Sequence, residues 1–340
     1  MAPFDSTDDA QVAALHELDV ILERETLPDD RPVPLAEFVD DIRITPRFRE
    51  VHRWIVPGHG GRILGVSEVE INHVEDNQDL ASVWVGVHPD ARRRGIARTL
   101  LRPAVQAAAA AERPSLDSWT AVHPANEPFF ERLGFGRRYL ERHSRLRIAD
   151  VDESLMKEWI ARAEERAAGY SLVGWNGPCP DELVESYANV LHVMNTAPME
   201  RLDMEDEVFT AGRIRAKEEA WLGAGNEWWV LIARHDDTGE VAGLTEVGLR
   251  RHRPWYAVQG NTGVDPRHRD RGLGRWLKAA MVLRLLAERP GVEYVDTWNA
   301  DSNRPMLNIN EAMGFTPVRY VGGWQARLET VAGHLGPAST

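Results

Sequence analysis

The chain has 340 residues, 43% of them hydrophobic, and its 40 basic and 53 acidic side chains give a net charge of −13. That length suits two domains of roughly 150 residues each, and the acidic balance excludes a general nucleic-acid binder, which needs a basic surface. No run of about 18 apolar residues is present to span a membrane, and the opening residues lack the basic start and apolar stretch of a signal peptide.

In chain order, a helix is predicted from about Asp8 to Glu25, with an apolar stripe of Val12, Leu15, Leu18, Val20 and Leu22. A loop from Pro28 to Pro34 and a short helix near Leu35 to Ile42 follow. Arg49 to Val56 and Arg62 to Ile71 read as antiparallel strands around a Gly-rich turn, and Leu80 to Val87 as the next strand. A helix then runs to about Ala111, followed by a buried strand from Leu116 to Val122, a short helix from Pro128 to Leu133 and a closing strand from Tyr139 to Ile148. Asp152 can cap a linking helix to about Ala168. The order then repeats. It comprises a strand from Tyr170 to Trp175, helices from Asp181 to Met194 and Asp206 to Leu222, and paired strands from Trp228 to His235 and Val241 to Leu249. Tyr256 to Val264 leads to a helix ending near Glu288. Val292 to Trp298, a helix near Met306 to Met313, and Arg319 to Leu328 finish it. Residues after about 331 read as a disordered tail. The first half lacks a counterpart of the strand from Tyr170 to Trp175, so the boundary near residue 150 is soft and strands can be exchanged between halves.

One turn occurs twice in this pattern. Arg92-Arg93-Arg94-Gly95-Ile96-Ala97 and Arg269-Asp270-Arg271-Gly272-Leu273-Gly274 each join an apolar strand to an amphipathic helix. An Arg-x-x-Gly-x-Gly/Ala turn opening a helix points several backbone N–H groups at one spot, and the positive helix end favours an anion there. The spacing suits a pyrophosphate, hence a nucleotide-bearing ligand. Gly65-Val66-Ser67-Glu68-Val69 matches Gly243-Leu244-Thr245-Glu246-Val247, Asp117-Ser118-Trp119 matches Asp296-Thr297-Trp298, and Leu133-Gly134-Phe135 matches Met313-Gly314-Phe315. Blocks in one order at a nearly constant separation of about 180 residues imply two copies of one fold, not a solenoid of short repeats.

Other readings carry less. Gly272-x-Gly274 lacks the third glycine of a dinucleotide-binding loop, since Leu277 stands there, and the preceding strands pair as hairpins. Cys179, the single cysteine, rules out an internal disulfide, suits a reducing cytoplasm and reads as a loop or cap residue. No metal-ligand spacing is present among His192, Asn195, Asp203 and Asp206. The acidic balance fits a cationic acceptor such as an amine, and fits equally a solubility role.

The Val-x-Pro-x-x-Arg-x-x-Gly-x-Gly/Ala turn, with the later Gly-Phe block in both halves, resembles the GNAT superfamily of N-acetyltransferases over residues 10–148 and 170–328. The tandem arrangement is similar to the mycothiol synthases and related actinobacterial acetyltransferases. The resemblance implies an α/β (α+β) chain with two GNAT-like domains in tandem. Each would be a mixed, mostly antiparallel sheet flanked by helices, with a splayed parallel strand pair. The domains would cover residues 1–150 and 151–330, the latter including a linking helix at 151–168, before a tail at 331–340. It implies acetyl-coenzyme A as cosubstrate, no metal, and transfer by direct attack of a primary amine on a small molecule. The pyrophosphate would lie on Arg93, Arg94, Gly95, Ile96 and Ala97, or on Asp270, Arg271, Gly272, Leu273, Gly274 and Arg275, with Arg92 or Arg269 at the entrance. A backbone N–H near Val87 or Val264 would polarise the thioester carbonyl.

An amine must lose a proton before it attacks, so a carboxylate with a raised pKa is needed. Glu246 is the candidate in the second half and Glu68 its counterpart; both are also readable as solvent-facing strand residues. His88 and Asp265 read as caps. The resemblance places an Asn in the helix after the fifth strand and a Tyr seven residues on. Asn303 meets the first requirement, but Asn310 replaces the Tyr, and His123 and Phe130 occupy the matching places in the first half. The second half, keeping Gly274 and Asn303, is favoured as the active one, and an insertion over residues 188–227 as the roof of the acceptor site. A non-catalytic acyl-coenzyme A sensor and a protein N-terminal or lysine acetyltransferase stay open, as does the choice between monomer and homodimer.

Overall fold

The computed structural model describes residues 1–336 as two compact units. The first comprises Met1–Glu141, Met199–Asp206 and the chain from Arg319 onward; the second comprises Arg142–Pro198 and Glu207–Val318. Each closing strand therefore leaves the half in which it begins.

The first unit starts with β1 (Ala2–Pro3), α1 (Asp9–Glu23) and α2 (Leu35–Arg43). Asp8 caps α1 by accepting the amides of Ala10 and Gln11, and Val12, Leu15 and Leu18 turn inward at helical spacing. β2 (Arg49–Pro57), β3 (Ile63–Asn72) and β4 (Leu80–Val87) form an antiparallel meander. Then come α3 (Ile96–Ala110), β5 (Ser115–Ala121), α4 (Glu127–Arg132) and β6 (Gly136–Arg147), whose last six residues belong to the second unit. The leading strand that the sequence seemed to lack exists, but β1 has only two residues, too few for any periodic signal.

The second unit continues with α5 (Glu153–Arg166), β7 (Tyr170–Asn176), α6 (Val184–Leu191), α7 (Ala211–Gly223), β8 (Glu227–His235), β9 (Val241–Leu249) and β10 (Tyr256–Val264). It ends with α8 (Leu273–Glu288), β11 (Tyr294–Ala300) and α9 (Arg304–Met313). Residues 206–210 are not helical where a helix is expected. The Asn195 side chain bonds both the N–H and the carbonyl of Glu207 at 3.0 Å, and the helix starts only where Thr210 accepts the amide of Arg213.

The sheet order is β1-β2-β3-β4-β5-β12 in the first unit, where β12 (Thr316–Arg327) pairs antiparallel with β5 from Val321 to Arg327. In the second it is β6-β11-β10-β9-β8-β7. Arg145 anchors the donated end of β6 with paired bonds to the buried Asp296 at 2.7 and 2.8 Å, while His143 stacks on Trp298 at 4.4 Å. The strands of each unit are thus mostly antiparallel, with a parallel pair in each, β4 with β5 and β10 with β11.

Residues 331–335 correct the expectation of a tail. They belong to α10 (Leu328–Leu335), whose Val331 and Leu335 join the cluster of Leu101, Val105, Phe130 and Trp324. Arg102 on α3 donates to the terminal carbonyls of Leu335 and Gly336, the cationic cap expected at a helix C-terminus. The remainder of the expected tail, residues 337–340, lies outside the described residues. No helix is long and apolar enough to cross a membrane among the described residues.

Candidate functional site

The two glycine turns have one backbone geometry. Arg93 and Gly95 in one, and Asp270 and Gly272 in the other, all have positive φ, at 64° and 80° and at 64° and 83°. Alternating left-handed residues turn successive N–H groups toward a common point, a natural anion cradle. No side chain caps α3 or α8, so their first amides are not claimed by a cap. A Cβ built at Gly95 or Gly272 meets nothing within 4 Å, so the space before each turn is open. These residues fit a diphosphate.

The flanking arginines differ. Arg92 and Arg269 both return Nε to the strand end, to the carbonyls of Val87 and Val264 at 3.1 and 3.0 Å. Arg92 is also neutralised by an ion pair with Glu25. Arg269 instead donates to the hydroxyl of Thr196 at 2.8 Å and keeps its charge for the turn. Arg271 and Arg275 lie over Tyr170 and Trp159, and Arg93 and Arg94 are exposed. Leu273 is buried at the start of α8, and Ile96 and Ala97 are half-buried at the start of α3. Gly274 packs against Ile309 and Val264.

Behind each turn the parallel strands part. β4 and β5 are in register only from Leu80 to Ser82, and β10 and β11 only from Tyr256 to Val258. In the first unit the ladder on the other side of β4 is regular, and Trp84 faces Glu68. In the second it slips by one residue, so that Gly260 and Asn261 together oppose Glu246. This β-bulge re-aims the backbone at the parting of the strands. A side chain at its first position would have to displace Glu246 or Trp228, because a Cβ at Gly260 would lie 2.9 Å from Glu246 Oε2 and 3.0 Å from both Glu246 Cβ and Trp228.

The two candidate carboxylates consequently sit in different surroundings. Glu246 is 2% exposed; one oxygen accepts the Tyr187 hydroxyl and the other accepts the Asn261 N–H at 2.9 Å. Burial raises its pKa, with the bonds from Tyr187 and Asn261 pulling the other way. Burial, then the adjoining Glu246 charge, holds the Tyr187 phenol well above its usual range. Glu68 is half-buried and tied to Arg53 Nε at 2.5 Å.

Asn303 caps α9 by accepting the amide of Met306 at 3.3 Å. Asn310 is 2% exposed and donates to Asn299 Oδ1 at 2.7 Å, while its own carbonyl oxygen is buried with no partner. In the first unit His123 accepts the amide of Ala125, and Phe130 is core. His88 and Asp265 cap the short turns that follow β4 and β10. The Cys179 thiol is pushed up to about 12 by burial and by Glu218, which leaves no thiolate for nucleophilic chemistry. Among the described residues, no group of three or more His, Cys, Asp or Glu is placed to hold a metal ion.

Tyr187, Asn261, Gln259 and Lys278 were not singled out in the sequence. Tyr187 lies on α6, just before the expected insertion, and its counterpart in the first unit, α1, has no tyrosine to flag it. Lys278 is 1% exposed on α8, donates to Gln259 Oε1 at 3.2 Å, and is depressed by burial to about 7. Between that value and the ordinary 10.5 the unfolded chain holds a proton that the native chain lacks, so stability rises with pH across this window and is lost as pH falls toward 7. The full effect is on the order of 5 kcal/mol. Urea midpoints at several pH values should show this rise, and Lys278→Met should flatten it; equal slopes in both proteins would remove Lys278 as its origin.

Comparison with known proteins adds the following. Residues 51–137 match a family model described as an acetyltransferase (GNAT) domain, and residues 196–315 match one described as the acetyltransferase (GNAT) family. The chain is 30% identical over 237 residues to a mycothiol acetyltransferase of Clavibacter sepedonicus, covering 67% of each. It resembles the solved tandem GNAT protein from the clavulanic acid biosynthesis pathway over 99% of both chains, with 28% identity and a TM-score of 0.78. The GCN5-related N-acetyltransferase from Sphaerobacter thermophilus shares the fold, with a TM-score of 0.67 and 94% coverage of both chains at 14% identity.

Proposed function

The chain belongs to the GNAT family of acetyltransferases, and on that premise we propose that its second unit moves an acetyl group from acetyl-coenzyme A to a primary amine of a small molecule. The backbone of Asp270 to Gly274 would hold the diphosphate, with Arg269 at the entrance and Arg271 and Arg275 adding positive charge. When bound, acetyl-coenzyme A supplies an acyl carbon activated as a thioester. The parted edge of β10 from Thr262 to Val264, beyond the Asn261 amide that Glu246 claims, carries the amides that favour negative charge on a carbonyl oxygen placed there. Glu246, its pKa raised by burial, takes the amine's proton in company with Tyr187. The unpartnered Asn310 carbonyl orients a water near the leaving thiol, whose ordinary pKa near 8.5 makes a separate strong acid unnecessary.

One observation carries this reading: the bulge that sets Asn261 on a buried Glu246 occurs in β10 and not in β4. For the first unit we infer acyl-coenzyme A holding without turnover, because the turn at Gly95 is open while Arg53 occupies Glu68. A small acceptor agrees with the relative named for mycothiol. The test is release of free thiol from acetyl-coenzyme A against an amine library. Release that depends on an amine is expected; acetyl-coenzyme A binding with no such release would leave a sensor and remove the enzyme.

A further inference from the structure

Comparing the two units position by position reveals a polar substitution in an apolar core. Val83 faces Val69 on the ladder of the first unit and shares a cluster with Leu101 of α3. Gln259 faces Val247 in the same way, and Lys278 holds the α8 position that matches Leu101, counting from the glycine of each turn. An aliphatic pair has become a lysine–glutamine pair, both members no more than 9% exposed.

The bonds of this pair converge on the bulge. Lys278 fixes the Gln259 carbonyl at 3.2 Å, with Phe315 against its amine. That leaves the Gln259 amide to donate to the Glu246 backbone carbonyl at 2.5 Å and to the hydroxyls of Thr245 and Thr262 at 3.1 and 3.3 Å. Thr245 and Thr262 also bond each other at 2.8 Å. A bulge leaves ladder groups unpaired, and Gln259 satisfies the carbonyl of Glu246, the residue that the bulged Gly260 and Asn261 together oppose. We propose that Lys278 and Gln259 are positioning residues that clasp the β10 bulge open, holding the Asn261 amide and Glu246 in place for acetyl transfer. The role rests on the reading of the second unit as the active one.

A buried lysine is costly, and exchanging buried polar groups for apolar ones of similar size is often neutral or stabilising, so retention of this pair calls for a task other than stability. The test is the double variant Gln259→Val with Lys278→Leu, which recreates the pair of the first unit. It should keep its thermal midpoint or raise it, so loss of folding is not the expected route to inactivity. Hydrogen exchange over residues 256–264, followed by mass spectrometry, should become at least about tenfold faster at the bulge or show the regular ladder of β4. The kcat for acetyl transfer should fall at least about thirtyfold, with KM for the amine within about threefold. Lys278→Gln, which can still donate to Gln259, should recover most of kcat. Unchanged exchange and kcat in the double variant overturn the clasp. If transfer is instead traced to the first unit, the parent reading and the catalytic purpose both fall, while the exchange result still decides whether the pair holds the bulge.

Discussion

Replacing Glu246 by glutamine is expected to cut kcat by about 10²–10⁴ while acetyl-coenzyme A affinity, measured by titration calorimetry, stays within about threefold. A general base is competent only when ionised, and burial raises the pKa of this one, so activity should fall on the acid side as Glu246 takes up a proton. That acidic limb of the kcat/KM profile should be absent in Glu246→Gln. Tyr187→Phe supplies a signed companion. The phenol hydrogen bond favours the ionised carboxylate, so its removal should push the Glu246 pKa further up and shift the limb to higher pH. Parallel profiles in wild type and Glu246→Gln would eliminate Glu246 as the base.

Gly272→Glu should weaken acetyl-coenzyme A binding at the second unit by at least about 100-fold, equivalent to roughly 2.7 kcal/mol, and abolish turnover. Two effects add. A side chain at φ of 83° is strained by about 1–2 kcal/mol, and a carboxylate would enter the open cradle where phosphate oxygens must lie. Gly272→Ala separates them, because it carries the strain without the charge and should lose no more than about tenfold in affinity. Gly95→Glu should spare turnover. Should Gly95→Glu abolish transfer and Gly272→Glu spare it, the active centre belongs in the first unit.

The features legible in the sequence were those encoded by neighbouring residues. The paired turns depend on a glycine with positive φ at a fixed distance from a strand, and both Gly95 and Gly272 adopt it. Glu246 was found because its block repeats, although repetition gave no hint that Glu68 would pair with Arg53 while Glu246 is buried. The bulge was invisible, since Gly260-Asn261 within Tyr256–Val264 reads as ordinary strand and its register is set by β9. Nothing in the sequence distinguishes Lys278 from the exposed basic residues of an amphipathic helix; only its partner Gln259, 19 residues away, reveals the inward turn. Tyr187 meets Glu246 across 59 residues, and the matching helix of the first unit, α1, carries no tyrosine. The exchange of β6 and β12 could be suspected from the missing leading strand but not assigned, because closing strands of the two halves are alike in length and pattern. α10 was misread as tail because its eight residues gain their stability from packing on Leu101 and Val105 and from the Arg102 cap.

The most direct measurement is a crystal structure of the chain soaked with acetyl-coenzyme A. The diphosphate should rest on the amides of residues 270–274, with the thioester between β10 and β11 on the side of Asn261 and Glu246. Density confined to the turn at residues 93–97, with the slot between β10 and β11 filled by protein side chains, would contradict a catalytic second unit.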